Sequence, residues 1–168
     1  GKEKDAADAL FNTGCDVIAQ HTDSPAPLQA AEEKGLLGFG QASDQYRFAP
    51  KAQLTATIDN WGPYYVAKVG QVLDGTWTTT CDGPDGCYFG HMNDGSVEMA
   101  PFTNMPPEVE AKAQAVKDAI RDGEYFAFTG PIYDNKGNLQ IAAGEVADRA
   151  HLDSMMYYVE GIDAELPK

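Results

Sequence analysis

Basic residues are scarce in this chain: 12 lysines and arginines stand against 26 aspartates and glutamates, a formal net charge of −14 over 168 residues. A surface of that sign repels phosphate backbones and lacks the polybasic patch that anionic lipid recruits, so neither nucleic-acid binding nor electrostatic membrane docking is expected. Long apolar runs are missing as well; none reaches the length of a membrane span or of a secretory leader. Histidine is limited to three residues. There is no phosphate-binding glycine loop, no serine nucleophile elbow and no cluster of residues with metal-ligand spacing. The reading is therefore of a protein that is not an enzyme and carries neither cofactor nor metal.

Cysteine is equally sparse, at three residues. Cys15 opens an apolar run and is expected to be a buried thiol. Cys81 and Cys87 flank Asp82-Gly83-Pro84-Asp85-Gly86, a segment with turn chemistry. A tight disulfide there ranks ahead of a zinc site, for which His91 supplies at most one further ligand. Unpaired thiols are the other reading.

Against these absences, hydrophobic residues make up 43% of the chain and aromatics 10%, the composition of a folded domain rather than a disordered one. The most informative stretch runs from Asp16 to Gln41. Asp16-Val17-Ile18-Ala19-Gln20 reads as a short strand, followed by the polar loop His21-Thr22-Asp23-Ser24, a helix over 25–34 that stops at Gly35, and a second strand over 36–40. That is a βαβ unit, and open α/β sheets place ligands at the carboxyl ends of such strands. A helix opening next to Thr-Asp-Ser leaves N–H groups and side-chain oxygens facing a solute.

The remaining pattern extends the alternation of strands and helices. A helix is expected over 3–13, running from Lys4 through Phe11 to Gly14. Leu54-Thr55-Ala56-Thr57-Ile58 reads as a strand. Asp59 or Asn60 would cap a helix that carries Tyr64, Val66, Val69 and Val72 and stops at Gly75. Residues 78–95 form a turn-rich excursion, and 96–100 alternate as a strand. Pro106-Pro107-Glu108 opens a helix to about Asp122, with Val109, Ala113, Val116 and Ile120 on one stripe. Residues 125–128 and 139–141 flank the hairpin signal Asp134-Asn135-Lys136-Gly137, and 155–161 read as a closing strand. The sum is an α/β fold with a mainly parallel sheet. A helix at the very first residues, feeding straight into a strand, reads as a chain cut from a longer one.

Six segments in this order resemble one known family. They are Gln20-His21-Thr22-Asp23-Ser24, Phe39-Gly40-Gln41-Ala42-Ser43-Asp44, Asp59-Asn60-Trp61-Gly62-Pro63-Tyr64-Tyr65, Leu73-Asp74-Gly75-Thr76-Trp77, Phe128-Thr129-Gly130-Pro131-Ile132 and Tyr158-Val159-Glu160-Gly161-Ile162. The chain resembles the BMP (basic membrane protein), or PnrA-like, family of ABC-transporter substrate-binding lipoproteins, and looks like its carboxyl-terminal half. The resemblance implies a type 1 periplasmic-binding-protein fold, two α/β lobes joined by crossovers with ligand clamped between them. Residues of about 1–50 and 96–168 would belong mainly to one lobe, and 54–77 to a crossover and a helix of the other. The implied function is capture of a purine nucleoside or nucleobase in the periplasm or at the outer face of the cell membrane, and its delivery to an ABC permease. Membrane contact would be only through a lipid anchor on the amino-terminal half, which this chain lacks.

Relatives carry a Gly-Val-Asp-x-Asp-Gln element at the cleft where this chain has Gly40-Gln41-Ala42-Ser43-Asp44-Gln45, so Asp44 and Gln45 match and Ala42 replaces the first acid. A Gly-rich loop in relatives is replaced here by His21-Thr22-Asp23-Ser24, which leaves less room for a ribose, so a free base such as adenine stands beside a nucleoside as the expected ligand. The expected ligand-binding set is Thr22, Asp23, Ser24, Gln41, Ser43, Asp44 and Trp61: carboxylates, amides and hydroxyls for the ring nitrogens and exocyclic groups, and one aromatic face for stacking. The competing roles are helix capping for Asp23 and Ser24, an ion pair with Arg47 for Asp44, and a hinge or core position for Trp61. Two other functions fit the same fold: a nucleoside hydrolase or transferase using Asp23 and His21 as acid and base, and the effector-binding domain of a regulator.

Overall fold

The computed structural model describes residues 1–78 and 88–167, so Cys81, Cys87 and the segment between them, with the expected disulfide, lie outside the described residues. The chain divides into two compact units, Gly1–Asp122 and Gly123–Lys168.

The first unit is built on a four-stranded sheet in the order β1-β2-β3-β4, with β1 Val17–Ile18, β2 Leu37–Gly40, β3 Gln53–Asp59 and β4 Val97–Met99. β1, β2 and β3 run parallel, and β4 closes the edge antiparallel to β3. Two helices, α1 Lys2–Asn12 and α2 Ala26–Glu33, pack on one another, and α2 packs on β1 and β2. α1 buries Ala7 and Phe11, one turn apart, and α2 buries Pro27, Leu28, Ala30 and Ala31. Together with Ile18, Ala49 and Ala52 these form the core cluster, against which Leu36 packs.

Small residues set the close spacing. A Cβ at Gly38 would lie 2.8 Å from Ile18 Cγ2 and 2.9 Å from Leu28 Cδ2, so only glycine lets α2 sit this near the sheet. Side chains alternate across a strand, so Phe39 turns to the opposite face. There it lines, with Met99, Phe102, Val109 and Val116, an open apolar groove of about 440 Å³ under helix α4, Pro107–Arg121.

Helix α3, Gly62–Asp74, ends where Gly75 takes a left-handed conformation (φ 76°). Its expected apolar face is present but bare: Tyr65, Val66, Val69, Val72 and Leu73 are all exposed. The α3 entry is held by Asn60, whose Oδ1 accepts from Gly62 N at 3.2 Å, rather than by Asp59.

The second unit holds a two-stranded hairpin, β5 Ile132–Tyr133 with β6 Leu139–Ile141, and a short helix α5, Arg149–Asp153. Two expectations are corrected here. Residues 125–128 form no strand: 125 and 126 are irregular and 127 and 128 are a turn, and the nearest pairing is the isolated bridge Thr129–Val146. Residues 155–161 are likewise not a strand; only Val159 bridges, to Asp134. In the first unit, Cys15 is exposed rather than buried, since β1 starts two residues later and the thiol faces Thr13 Oγ1 at 3.8 Å.

Candidate functional site

Because β1, β2 and β3 are parallel, the segments that leave them, beginning at Ala19, Gln41 and Asn60, all emerge at one edge of the sheet. Six of the seven expected ligand residues lie on the first two of these segments, and Trp61 lies on the third. This carboxyl edge is where α/β sheets hold solutes.

On the first segment Thr22 and Ser24 are half-buried, while His21 and Asp23 are exposed. Thr22 Oγ1 donates to Gln20 Oε1 at 2.8 Å. Ser24 Oγ accepts from Ala26 N at 3.2 Å and so satisfies one of the open N–H groups at the start of α2, while Pro25 holds the N-cap position.

On the second segment Gln41 is half-buried, and its Oε1 is a buried acceptor with no hydrogen-bond partner among the described residues. Such an atom costs on the order of 1–3 kcal/mol unless a donor reaches it. Ala42 adopts φ 59°, an uncommon conformation for a residue with a Cβ, and its carbonyl accepts from Asp59 N at 3.0 Å. Ser43 is exposed. Asp44 Oδ1 accepts from Tyr46 N at 3.0 Å and from Gln53 Nε2 at 2.8 Å. Its expected competitor, Arg47, instead lies over the Phe48 ring, 4.5 Å from the centroid.

Residues that the sequence reading left out of the ligand set tie these segments together. Gln45 and Gln53 are both buried, at 3% and 1% exposure. Gln20 Nε2 donates to Gln45 Oε1 at 3.1 Å, Gln45 Nε2 donates to the Gln41 carbonyl at 3.3 Å, and Gln45 N donates to Gln53 Oε1 at 3.1 Å. The only signal for them in the sequence is polarity at the first residue of a strand and at the end of a cleft-like element.

On the third segment Trp61 stands at the N-cap of α3, half-exposed, stacked on Tyr65 at 6.2 Å and edge-on to Tyr64 at 5.9 Å. Tyr64 in turn meets Tyr88 at 4.5 Å. The flat ring is thus propped by an aromatic cluster rather than packed in the core. Asn60 Nδ2 donates to Gly95 O and to Glu98 Oε1, which fixes the turn beneath it. Among the described residues, no three or more His, Cys, Asp or Glu side chains gather as a metal site. Nor is any helix among them long and apolar enough to cross a membrane.

The first unit is thus a parallel-rich α/β sheet with an unpartnered acceptor and a propped aromatic on the segments that leave its carboxyl edge. The chain belongs to the Bmp family, described as PnrA-like ABC transporter substrate-binding proteins, whose model matches residues 1–138. It is 48% identical to a purine-binding protein of Brucella abortus over 168 residues, all of this chain and 46% of that protein. It is 26% identical over 165 residues to a Haloferax volcanii protein provisionally named as an ABC transporter glucose-binding protein, covering 98% of this chain and 38% of the other. The chain thus spans less than half the length of these curated relatives.

Two solved structures share the fold. One is a transcriptional activator of the comK gene from Bacillus halodurans, with TM-score 0.57 and 19% identity over 72% of this chain and 42% of that one. The other is an ABC transporter solute-binding protein from Conexibacter woesei, with TM-score 0.51 and 18% identity over 74% and 41%.

Proposed function

We propose that this chain is the carboxyl-terminal part of an extracytoplasmic receptor that captures a purine, a nucleobase such as adenine or its nucleoside, and hands it to an ABC permease. The observation that carries the reading is the buried, unpartnered Gln41 Oε1 at the carboxyl edge of the sheet. It is an acceptor waiting for an N–H donor, and purines present such donors on their rings and exocyclic amines. Family membership and the name of the Brucella relative support the same class of solute.

In this reading Trp61 stacks on the base. Gln41 accepts from it, and Asp44, whose two bonds both fall on Oδ1, offers Oδ2. Thr22, Asp23, Ser24 and Ser43 supply the remaining polar contacts. Residues beyond this chain form the second wall and carry the lipid anchor, and ligand shifts the two lobes from open to closed. No chemistry is performed on the solute.

The test is thermal unfolding of the intact protein with adenine, guanine, adenosine, cytidine and glucose in turn. A ligand at 100 times its dissociation constant adds about 2.7 kcal/mol, so a selective upward shift with a purine is the expected result. A shift with glucose alone overturns the purine reading and keeps the transport one, in line with the name of the Haloferax relative. Conversion of adenosine to free base and ribose during incubation overturns the non-enzymatic reading.

A further inference from the structure

The two candidate ligand loops, 21–24 and 41–45, do not touch the solute edge independently. They are joined through the interior by one continuous run of hydrogen bonds: Thr22 to Gln20, Gln20 to Gln45, Gln45 to Gln53, and Gln53 to Asp44. We infer that Gln53, buried at the start of β3 and beyond reach of solvent, is a positioning residue that sets Asp44 for the ligand. This inference rests on the purine reading for its ligand but not for its geometry.

Three observations converge on Gln53. Its amide works at both ends, accepting from Gln45 N at Oε1 (3.1 Å) and donating from Nε2 to Asp44 Oδ1 (2.8 Å). An aliphatic side chain satisfies neither need, and a hydroxyl offers its donor and acceptor at a single atom, whereas the amide places them on two atoms that reach Asp44 and Gln45 separately. The space it occupies is kept clear by Gly40, where a Cβ would lie 3.0 Å from Gln53 Oε1 and 2.7 Å from Ala56 Cβ. Its backbone is clamped from the far side as well. The Gln53 carbonyl accepts from Thr103 Oγ1 and from Asn104 Nδ2, and Asn104 takes up a left-handed conformation (φ 54°) while making that bond.

The consequence is directional. With Oδ1 committed to Gln53 and to Tyr46 N, the Asp44 carboxylate is fixed in rotation, and Oδ2 is presented at a defined angle before any ligand arrives. A carboxylate held this way loses little freedom on binding, which is how preorganisation raises affinity. The same amide run gives the 21–24 loop a fixed register against Asp44, so the spacing between Thr22 and Asp44 is set in the empty protein.

The experiment compares Gln53→Leu and Gln53→Glu with wild type in the intact protein, by adenine calorimetry and by amide hydrogen exchange at Gln45 and Tyr46. Gln53→Leu is expected to raise the adenine Kd at least roughly tenfold and to strip protection from both amides. Gln53→Glu is nearly isosteric and carries the test if the leucine variant fails to fold. At neutral pH the introduced carboxyl opposes Asp44, and affinity falls as in the leucine variant. Below about pH 5 the two carboxyls share one proton, the missing donor returns, and the Kd recovers toward wild type measured at the same pH.

A residue that merely fills space shows no such recovery. Unchanged amide protection together with adenine affinity within twofold of wild type in both variants overturns the inference, as does a Gln53→Glu loss that is flat with pH. Should wild type bind no adenine, the purine reading falls alone, and the exchange rates of Gln45 and Tyr46 decide the positioning role.

Discussion

Two aspartates, one in each unit, show how the same side chain is put to opposite uses. Asp134, between β5 and β6, is 7% exposed and has both oxygens occupied. Its Oδ1 accepts from Lys136 N and Asn138 N, and its Oδ2 from Asn138 Nδ2 and Gln140 Nε2. Asp44, after β2, is exposed, and both its bonds fall on one oxygen. A carboxylate with every lone pair engaged holds a turn together and has nothing left for a solute. A carboxylate engaged on one side only is oriented yet still open, which is the state a binding residue needs before its ligand arrives.

Glycine substitutions give the largest effects and separate the two surroundings. A Cβ at Gly130 would lie 2.0 Å from the Ala142 carbonyl oxygen, a backbone atom. Gly130→Ala is expected to cost about 3 kcal/mol or more, because the pairing around Gly130 cannot step aside. At Gly40 the neighbours are side chains, Ala56 and Gln53. Gly40→Ala is expected to cost about 1–3 kcal/mol and, unlike Gly130→Ala, to weaken adenine binding as well, since the displaced group is Gln53. Denaturant unfolding and calorimetry on both variants check the order. Equal losses of affinity would break the distinction between the two regions.

The aspartates themselves come next. Asp134→Ala is expected to expose the Lys136 and Asn138 amides to exchange roughly tenfold to a hundredfold faster, with adenine affinity unchanged. Asp44→Ala is expected to weaken adenine binding about tenfold and to cost about 1–3 kcal/mol of stability, because it leaves the buried Gln53 Nε2 without its acceptor. If Asp44→Ala destabilises the protein but leaves adenine affinity unchanged, as expected for Asp134→Ala, Asp44 belongs with the turn-forming class.

How far such a contrast can be read from sequence depends on how local its causes are. The unit from Asp16 to Gly40 was legible because an apolar run, a helix start and the stop at Gly35 all lie within a few residues of what they determine. Helix α4 was legible for the same reason, through Pro106-Pro107 and the stripe Val109, Ala113, Val116 and Ile120. The aromatic run Tyr125-Phe126-Ala127-Phe128 misled, since strand-forming side chains make no strand without a ladder to join, and only Thr129 finds a partner nearby.

Asp44 stood out as a candidate by its likeness to relatives, whereas Gln53 did not. A polar residue at the start of a strand looks like a solvated one until the loop ending in Gln45 folds over it. Likewise, nothing in the sequence says that the Gln41 amide oxygen is buried without a donor; that follows from the packing of three segments against one another.

Acid gives the smallest effect. Hydrogen bonds from Asn138, through its side chain and its backbone, and then from Lys136 and Gln140 pull the Asp134 carboxyl down to about 2 from the ordinary 3.8. A group more acidic when folded than when unfolded stabilises the fold wherever it is ionised in both states. Its contribution is therefore complete above the ordinary value and is lost as pH falls from about 4 through about 2. Asp94 in the first unit, lowered to about 2 chiefly by its bond with Ser96, weakens over the same window.

Residue-level exchange as a function of pH separates them. Amides around Asn138 should lose protection below about pH 4 in wild type and show a flatter acid profile in Asp134→Asn, whereas those around Ser96 should respond to Asp94→Asn instead. An acid profile around Asn138 that is identical in wild type and Asp134→Asn would mean that the saturated carboxylate contributes no pH-dependent stability, and the contrast with Asp44 would then rest on geometry alone.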